Sequence, residues 1–302
     1  MEEKYLEVYY LKSSEFDPEK FARPMVMALG FFDGVHRGHQ GVINTARKYA
    51  QEKQLPLAVM TFDRHSSMLF TDPETTSFRY LNTIPQKVDL MEKQKVDYLF
   101  VVKFSHDFAT LSPETFVQRY LIDLRVKVAV AGFDFTFGQY GLGDMELLRK
   151  LGKFDFQTVT VPKKNENEYK ISSTRIRKLI STGKMAEACQ LLGHEYIVDG
   201  TLLPDHQIRI DNRYQQLPPL GTYECQLEIG AERHHAKINI LTSETRPVNQ
   251  IIQADLHKFS KNSLKNDAEV RLTWPEQKEV TDTTVNSLVS EQEQKEANNS
   301  FW

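Results

Sequence analysis

The chain has 302 residues, more than one hydrophobic core usually supports, so its length predicts two domains. Its 38 Lys and Arg residues nearly balance 41 Asp and Glu residues, and the formal charge of -3 gives no electrostatic reason to expect a nucleic-acid or membrane partner. Cys189 and Cys225 form no CxxC pair, and neither a secretory signal nor a membrane-spanning apolar run is seen; a cytoplasmic protein without disulfides or cysteine-bound zinc is expected.

Short β-rich runs alternate with helical patterns through roughly the first 190 residues, which is typical of a parallel sheet built from βαβ units. The predicted strands are Met25–Leu29, Pro56–Phe62, Tyr98–Val102, Val126–Gly132 and Phe154–Val161. Helices are predicted between them, at 38–54, 84–95, 112–124 and 184–194. The first of these helices places Val42, Ile43, Ala46 and Ala50 on one face, and Gly193 stops the last.

The period changes beyond His194, where polar and apolar residues alternate between turn-forming clusters. This pattern predicts a smaller antiparallel β domain or barrel from about Tyr196 to Trp274. Residues 276–302 are polar and charged with few apolar side chains, which favours a disordered tail. The predicted division is therefore 1–194, 195–275 and 276–302, with an α/β domain followed by a β-barrel-like domain.

The segment GFFDGVHRGHQ, residues 30–40, follows the first predicted strand and opens a predicted helix. The N–H groups of a helix N-terminus favour an anionic ligand, and Gly34 and Gly38 allow a close approach of backbone to it. The spacing is neither GxGxxG nor GxxxxGK[ST], but His36 and His39 are placed to present both imidazoles to one phosphoryl group. A zinc site would need a third protein ligand, and a helix start with two exposed histidines is the simpler alternative.

Two further segments carry polar groups suited to a nucleotide. In ISSTRIRKLI, Ser172, Ser173 and Thr174 are good helix caps and hydroxyl donors, while Arg175 and Arg177 suit phosphate contacts, although an ordinary capped helix has the same residues. In AGFDFTFGQYGLGD, Asp134 is suited to a ribose hydroxyl or a magnesium-bound water. Its phenylalanines suit either a planar ring system or the core.

These three segments and TFDRH, residues 61–65, occur in order over roughly residues 20–200. Together they resemble the adenylyltransferase module of bacterial FAD synthetases, the bifunctional riboflavin kinase/FMN adenylyltransferase family. The resemblance implies a Rossmann-like nucleotidyltransferase fold and the reaction of FMN with ATP to give FAD and pyrophosphate, with Mg²⁺ accompanying ATP. ATP and FMN would then be the small-molecule partners.

The resemblance also implies roles for individual residues, with no resident metal ligand among them. Catalytic roles are expected for His36, His39 and Arg177. ATP or phosphate binding is expected for Gly30, Phe31, Asp33, Gly34, Gly38, Ser173 and Thr174. Flavin or ribose binding is expected for Phe62, Asp63, His65, Asp134 and Phe137.

Two departures from the family pattern modify these expectations. Arg64 and Ser66 stand where the family has the prolines of Pro-His-Pro, so this loop is expected to be less rigid. The kinase signature GRxLGFPTAN has no counterpart in residues 200–227, which predicts a degenerate kinase domain without flavokinase activity. The alternatives are a non-catalytic flavin or nucleotide binder, and a nucleotidyltransferase that acts on another phosphate.

Overall fold

The computed structural model describes residues 5–275 except 73, 163, 164, 167, 168 and 242–250. Six parallel strands form one sheet in the order β1-β4-β3-β2-β5-β6. Their bounds are β1 Glu7–Leu11, β2 Met25–Leu29, β3 Leu57–Phe62, β4 Tyr98–Val102, β5 Val126–Gly132 and β6 Gln157–Val161. A short antiparallel ribbon follows, with β7 at Asn165–Glu166 and β8 at Tyr169–Lys170.

Helices cover both faces of the sheet. Alternate residues of the central strands point to opposite faces and are apolar on both, so each face is buried in a core of its own. Met25, Met27 and Leu29 of β2 belong to one core, and Val26 and Ala28 belong to the other. The helices are α1 Arg37–Lys53, α2 Ser67–Phe70, α3 Ile84–Lys93, α4 His106–Ala109, α5 Pro113–Val117, α6 Met145–Leu151, α7 Ser173–Ser181 and α8 Met185–Leu192. Over the described residues, none of them is long and apolar enough to cross a bilayer.

The second part of the molecule is a closed antiparallel barrel in the order β10-β13-β12-β11-β14-β9. Its strands are β9 Tyr196–Leu203, β10 Gln207–Ile210, β11 Gly221–Ile229, β12 Glu232–Ile240, β13 Ile251–Ala254 and β14 Glu269–Trp274. Inward-facing residues alternate along β9, as expected for a strand with one buried face. The predicted fold class, a Rossmann-like parallel sheet followed by a β-barrel, is confirmed.

Several predicted elements match the structure closely. The buried face of α1 consists of the four predicted residues, and Gly193 ends α8 in the left-handed conformation at φ 72°. The predicted helix at 112–124 is instead a short α5 continued by a π-helical turn at Gln118–Ile122. No strand was predicted at β1, β7, β8, β10 or β13. The suggested tail at 276–302 lies outside the described residues, and the division at residue 194 stays a prediction.

Candidate active site

The site lies where β2, β3 and β5 end, at the carboxyl edge of the parallel sheet. β2 is buried along its whole length, and the N–H of Gly30 just beyond it donates to the carbonyl of Met60 in β3 over 3.2 Å. In open parallel sheets this edge is where loops meet to form ligand sites. The predicted motifs after these three strands are therefore brought to one place.

The turn between β2 and α1 has an unusual backbone. Phe32, Gly34 and Val35 all have positive φ, at 53°, 81° and 37°. A Cβ at Gly34 would lie 2.8 Å from a methyl of Leu81, so a larger residue would clash there as well as strain the turn. The buried side chains of Phe32 and Val35 anchor the turn in the core.

His36 and His39 lie together at the start of α1. His36 is the N-cap, and its Nδ1 accepts the backbone N–H of His39 over 3.2 Å. The two rings are stacked, with centroids 3.6 Å apart and an interplanar angle of 14°. A Cβ at Gly38 would lie 3.0 Å from Cε1 of His36, so this glycine lets the His36 ring lie against the helix.

The surroundings of His39 favour its neutral form. Burial lowers its pKa well below the ordinary value of 6.5, and the nearby His36 and Lys87 lower it further. A neutral imidazole has one N–H, so His39 donates from a single ring nitrogen. Its Nδ1 is buried without a hydrogen-bond partner among the residues that the structure describes.

Asp33 joins the turn between β2 and α1 to α7. Its carboxylate, only 2% exposed, accepts the N–H of Leu81 over 2.9 Å and a guanidinium N–H of Arg177 over 2.7 Å. Its backbone carbonyl accepts the Ser173 hydroxyl over 2.9 Å. Thus two of the residues predicted in the second motif, Ser173 and Arg177, contact the first motif through one aspartate.

At the start of α7, one of the three residues predicted to suit a helix cap is the N-cap. Ser172 is the N-cap, since its hydroxyl accepts the N–H of Arg175 over 3.3 Å, and Ser173 is the first helical residue. Thr174 is exposed. A Cβ at Gly38 would lie 3.7 Å from the carbonyl oxygen of Ile171, so the N-termini of α1 and α7 are neighbours.

The loop after β3 carries His65 inside an aromatic cluster. The His65 ring is stacked on Phe78 at 4.4 Å and meets Phe31 edge-on at 5.3 Å. Its Nδ1 lies 2.8 Å from the Ser67 hydroxyl, and burial followed by the Arg177 charge lowers its pKa. The Arg177 guanidinium lies over Phe78, 4.6 Å from the ring centre. Because Arg177 also binds Asp33, the cluster borders the turn between β2 and α1.

Phe62 and Asp63, predicted in the same loop, have local partners. Phe62 contacts the rings of Phe104 and Phe108 at 5.8 and 5.4 Å. The Asp63 carboxylate accepts the N–H of Phe104 over 2.8 Å. Both side chains therefore fix the loop that follows β4.

The loop after β5 places its two predicted residues in different surroundings. Asp134 is exposed at the carboxyl edge of the sheet, close to Gly132. Phe137 is only 5% exposed and packs on Phe116, with ring centres 5.1 Å apart. Core packing, the alternative raised for these phenylalanines, accounts for the position of the Phe137 ring.

Lys87 of α3 is a buried cation beneath the turn. Its ammonium donates to the carbonyl of Phe31 over 2.8 Å and to the Thr61 hydroxyl over 3.1 Å. Burial lowers its pKa to about 8, although Asp33 and Asp63 act in the opposite direction. Lys87 therefore holds the turn between β2 and α1 at Phe31.

The chain is similar in sequence to known proteins. The sequence profile of FAD synthetase matches residues 18–175. A bifunctional riboflavin kinase/FMN adenylyltransferase from Listeria monocytogenes is 37% identical over 259 residues, 82% of each chain. A protein named FAD synthetase from the same organism is 35% identical over 214 residues, 68% of this chain and 83% of that relative.

The chain belongs to the FAD synthetase family. The family predicted from the four sequence motifs is thus confirmed, and with it the nucleotidyltransferase class of enzyme. FAD synthetases use FMN and ATP and produce FAD. The crystal structure of a protein named macrolide-efflux protein from Streptococcus pneumoniae superposes with a TM-score of 0.74 over 98% of this chain and 99% of that one, and its 24% identity shows the fold alone.

Several residues that contact the site were missed from the sequence, among them Lys87, Phe78 and Tyr80. Lys87 shares a helix face with Leu90 and Met91, three and four residues later, and that spacing is the signal of a buried position. Phe78 and Tyr80 lie in an irregular segment without periodicity. No local pattern could have placed their rings beside His65.

Proposed function

We propose that this chain transfers AMP from ATP to the phosphate of FMN, giving FAD and pyrophosphate, and has no riboflavin kinase activity. A phosphate oxygen of FMN forms a new bond to the α-phosphorus of ATP as the bond to the β-phosphate oxygen breaks. The observation that carries the proposal is the stacked pair His36 and His39 at the start of α1, joined through Asp33 to Ser173 and Arg177 of α7.

This chemistry needs positioning and charge stabilisation rather than a strong base. The attacking phosphate of FMN is already an anion, so no proton has to be removed from the nucleophile. Negative charge develops on the oxygens around the α-phosphorus and on the departing pyrophosphate. Hydrogen-bond donors that are already in place at the N-termini of α1 and α7 would stabilise that negative charge.

His36, His39 and Arg177 are the proposed donors to the phosphates. Arg177 uses its Nε and one Nη2 proton on Arg79 and Asp33, and a guanidinium has five N–H donors in total. Its two protein partners therefore fix its plane and leave donors for ATP. Gly30, Phe31, Gly34 and Gly38 would supply the backbone around the phosphates, and Ser173 and Thr174 the start of α7.

The flavin and ribose are proposed to occupy the edge between the loops after β3 and β5. His65 and exposed Asp134 are the side chains best placed to face a ligand there. Phe62 and Asp63 would shape the loop through their contacts with the segment after β4. We propose that Phe137 supports this edge from the core.

Mg²⁺ is proposed to enter with ATP. No group of three His, Cys, Asp or Glu side chains suited to a metal is found within the described ranges. Mg²⁺ commonly uses phosphate oxygens, waters and one or two carboxylates, so a dedicated protein cage is not needed. Asp134, an exposed carboxylate at this edge, is the residue that would hold it or one of its waters.

A product assay tests both parts of the proposal. Purified chain with ATP and Mg²⁺ is incubated with FMN or with riboflavin, and the flavins are separated by chromatography while pyrophosphate is measured. FAD from FMN, with no FMN or FAD from riboflavin, is the expected result. FMN from riboflavin would overturn the absence of kinase activity.

Two other outcomes separate the alternatives. Flavin or ATP binding without pyrophosphate release, in a folded sample, would replace the proposal by a non-catalytic binder. Nicotinamide mononucleotide and pantetheine phosphate are added as competing substrates. Faster consumption of either than of FMN would instead show a nucleotidyltransferase for another phosphate.

A further inference from the structure

A four-residue segment at 79–82, here called the connector, contacts the proposed phosphate-binding residues. It lies between the aromatic cluster and α3, and it has no regular secondary structure beyond an isolated bridge at Tyr80. Each of its four residues makes one hydrogen bond to the site. The Arg79 carbonyl accepts from Nε of Arg177 over 2.6 Å, and the Leu81 N–H donates to the Asp33 carboxylate over 2.9 Å. The Asn82 side-chain oxygen accepts the Gly34 N–H, and the Tyr80 hydroxyl accepts the His65 N–H over 3.2 Å.

The other side of the connector is bound by the barrel. The N–H of Tyr80 donates to the carbonyl of Tyr214 over 2.7 Å, and the N–H of Gln216 donates to the carbonyl of Tyr80 over 2.8 Å. Tyr80 and Gln215 thus form an isolated parallel bridge, as if the connector were a strand added to the barrel segment. The backbone position of the connector is therefore set from the barrel.

Gln215 is the centre of this contact. It is fully buried, and its amide nitrogen lies 2.7 Å from the carbonyl of Ile197 in β9 and 3.0 Å from the side-chain oxygen of Gln86 at the start of α3. The same nitrogen lies 3.5 Å from the carbonyl of Leu81. The buried NH₂ group of Gln215 thus links a barrel strand, α3 and the connector, while its side-chain oxygen is buried without a hydrogen-bond partner among the residues that the structure describes.

A second, partly buried link reinforces the first. The other end of the Gln86 amide donates to the carboxylate of Asp199 in β9 over 2.7 Å, and Arg271 of β14 donates to the same carboxylate over 2.7 Å. The Tyr196 hydroxyl also donates to the carbonyl of Gln216. The residues that hold the connector, Gln215 and Gln216, are themselves bonded to β9, and Arg271 joins β9 to β14 through Asp199.

We propose that the barrel positions the phosphate-binding turn through the connector, with Gln215 as the positioning residue. This inference rests on the proposed function for its effect on turnover, but the mechanical coupling does not depend on which phosphate is the substrate. The hydrogen bonds of the Asp33 carboxylate and of the Gly34 N–H to Leu81 and Asn82 require the connector to stay in position. The connector has no regular secondary structure of its own, so the barrel contacts supply that position. The proposal gives the barrel a role in AMP transfer that is independent of any kinase chemistry.

The first test uses Gln215→Leu, which keeps the approximate volume and removes the amide. Hydrogen exchange is measured by mass spectrometry on the full chain, in peptides covering residues 30–36 and 78–83. We expect exchange in both peptides to become about 10-fold faster, because the Gly34 and Leu81 amides lose a fixed partner. We also expect kcat for FAD formation to fall about 10-fold or more, with a smaller change in the KM for ATP.

A matched control separates positioning from a general loss of barrel stability. Ile229→Val trims the barrel core in β11, which pairs with β12 and β14. It should leave exchange at 30–36 and kcat at their wild-type values. If Ile229→Val accelerates exchange at 30–36 as much as Gln215→Leu does, the coupling through Gln215 is overturned.

A milder variant keeps the test decisive if Gln215→Leu does not fold. Tyr196→Phe removes only the hydroxyl that donates to Gln216 and keeps the buried ring. It should accelerate exchange at 78–83 and 30–36 in the same direction by a smaller factor. If a folded Gln215→Leu or Tyr196→Phe protein shows unchanged exchange at 30–36, the inference is overturned. If the exchange result is as expected but the wild type forms no FAD, only the proposed reaction is overturned.

Discussion

Asp33 and Arg177 are 144 residues apart in the sequence, and their side chains form an ion pair of 2.7 Å at the centre of the proposed site. Asp33 is 2% exposed, so its charge has little access to water. The pair ties the turn after β2 to α7, and neither element alone would fix the guanidinium of Arg177 in one orientation.

Removing both partners of this pair should cost less than the sum of the two single removals. Asp33→Asn leaves the Arg177 guanidinium without its counter-charge, and we expect the free energy of unfolding to fall by about 3 kcal/mol. Arg177→Met leaves the buried carboxylate without its cation and should cost a similar amount. The double variant should cost clearly less than the sum, as measured by urea unfolding; additive losses would contradict a coupled pair.

The stacked histidines should be needed for turnover rather than for folding. His36→Ala and His39→Ala should each lower kcat for FAD formation by about 10²-fold or more, the scale for loss of one fixed transition-state donor. Steady-state kinetics with FMN and ATP measure the effect, and circular dichroism confirms that each variant is folded. Wild-type turnover in either variant would remove it from the proposed donors.

Two glycines in the first turns of α1 make a matched pair. A Cβ at Gly38 would lie 3.0 Å from the His36 ring, whereas a Cβ at Gly41 meets no atom within 4 Å. Gly38→Ala should displace His36 and lower kcat about 10-fold. Gly41→Ala should leave kcat unchanged and raise stability by about 0.5–1 kcal/mol, since alanine is the better helix former.

The comparison is made by measuring kcat and thermal stability for both variants side by side. Equal activities for Gly38→Ala and Gly41→Ala would show that the position of the His36 ring does not limit the reaction.

Lys87 should make stability depend on pH on the alkaline side. Its pKa falls from 10.5 to about 8 on folding. Between these values the unfolded chain holds a proton that the folded chain has released, so this residue makes stability rise with pH from about 8 to about 10.5. Below about 8 both states are protonated and the unfavourable effect of burying the ammonium is constant.

Lys87→Met should abolish this rise, which is measured as the difference in melting temperature between pH 7.5 and pH 9.5. Lys93→Met, at an exposed position in the same helix, is the control and should retain the wild-type rise. A wild-type pH dependence in Lys87→Met would contradict the lowered pKa. We also expect kcat to fall about 10-fold in Lys87→Met, because the Phe31 carbonyl loses a charged donor.

The parts of the fold that were predictable are those with a long enough repeat. Helix α1 repeats its buried positions from Val42 to Ala50, and β2 at the centre of the sheet is a continuous apolar run. β10 and β13 have four residues each, so only two side chains on each face carry the alternation. β1 at the edge of the sheet is partly exposed on both faces, so its burial does not follow the two-residue period of a strand.

The site was predictable where a residue type and its spacing carry chemistry within one segment. His36 and His39 meet because they start the same helix turn. The position of Lys87 beneath the turn depends on how α3 packs, and a charged residue is normally expected at the surface. The connector depends on contacts with residues more than a hundred positions later, which no local pattern encodes.

Closure of the barrel has an evolutionary consequence for its loops. Each of the six strands is hydrogen-bonded on both sides, so the ring has no free edge whose exposure would invite association with other chains. Loops at one end of such a ring can lose an ancestral ligand motif without opening the structure. Selection can then still act on the outer residues that contact a neighbouring domain. A closed barrel of this kind can therefore be retained for those contacts alone.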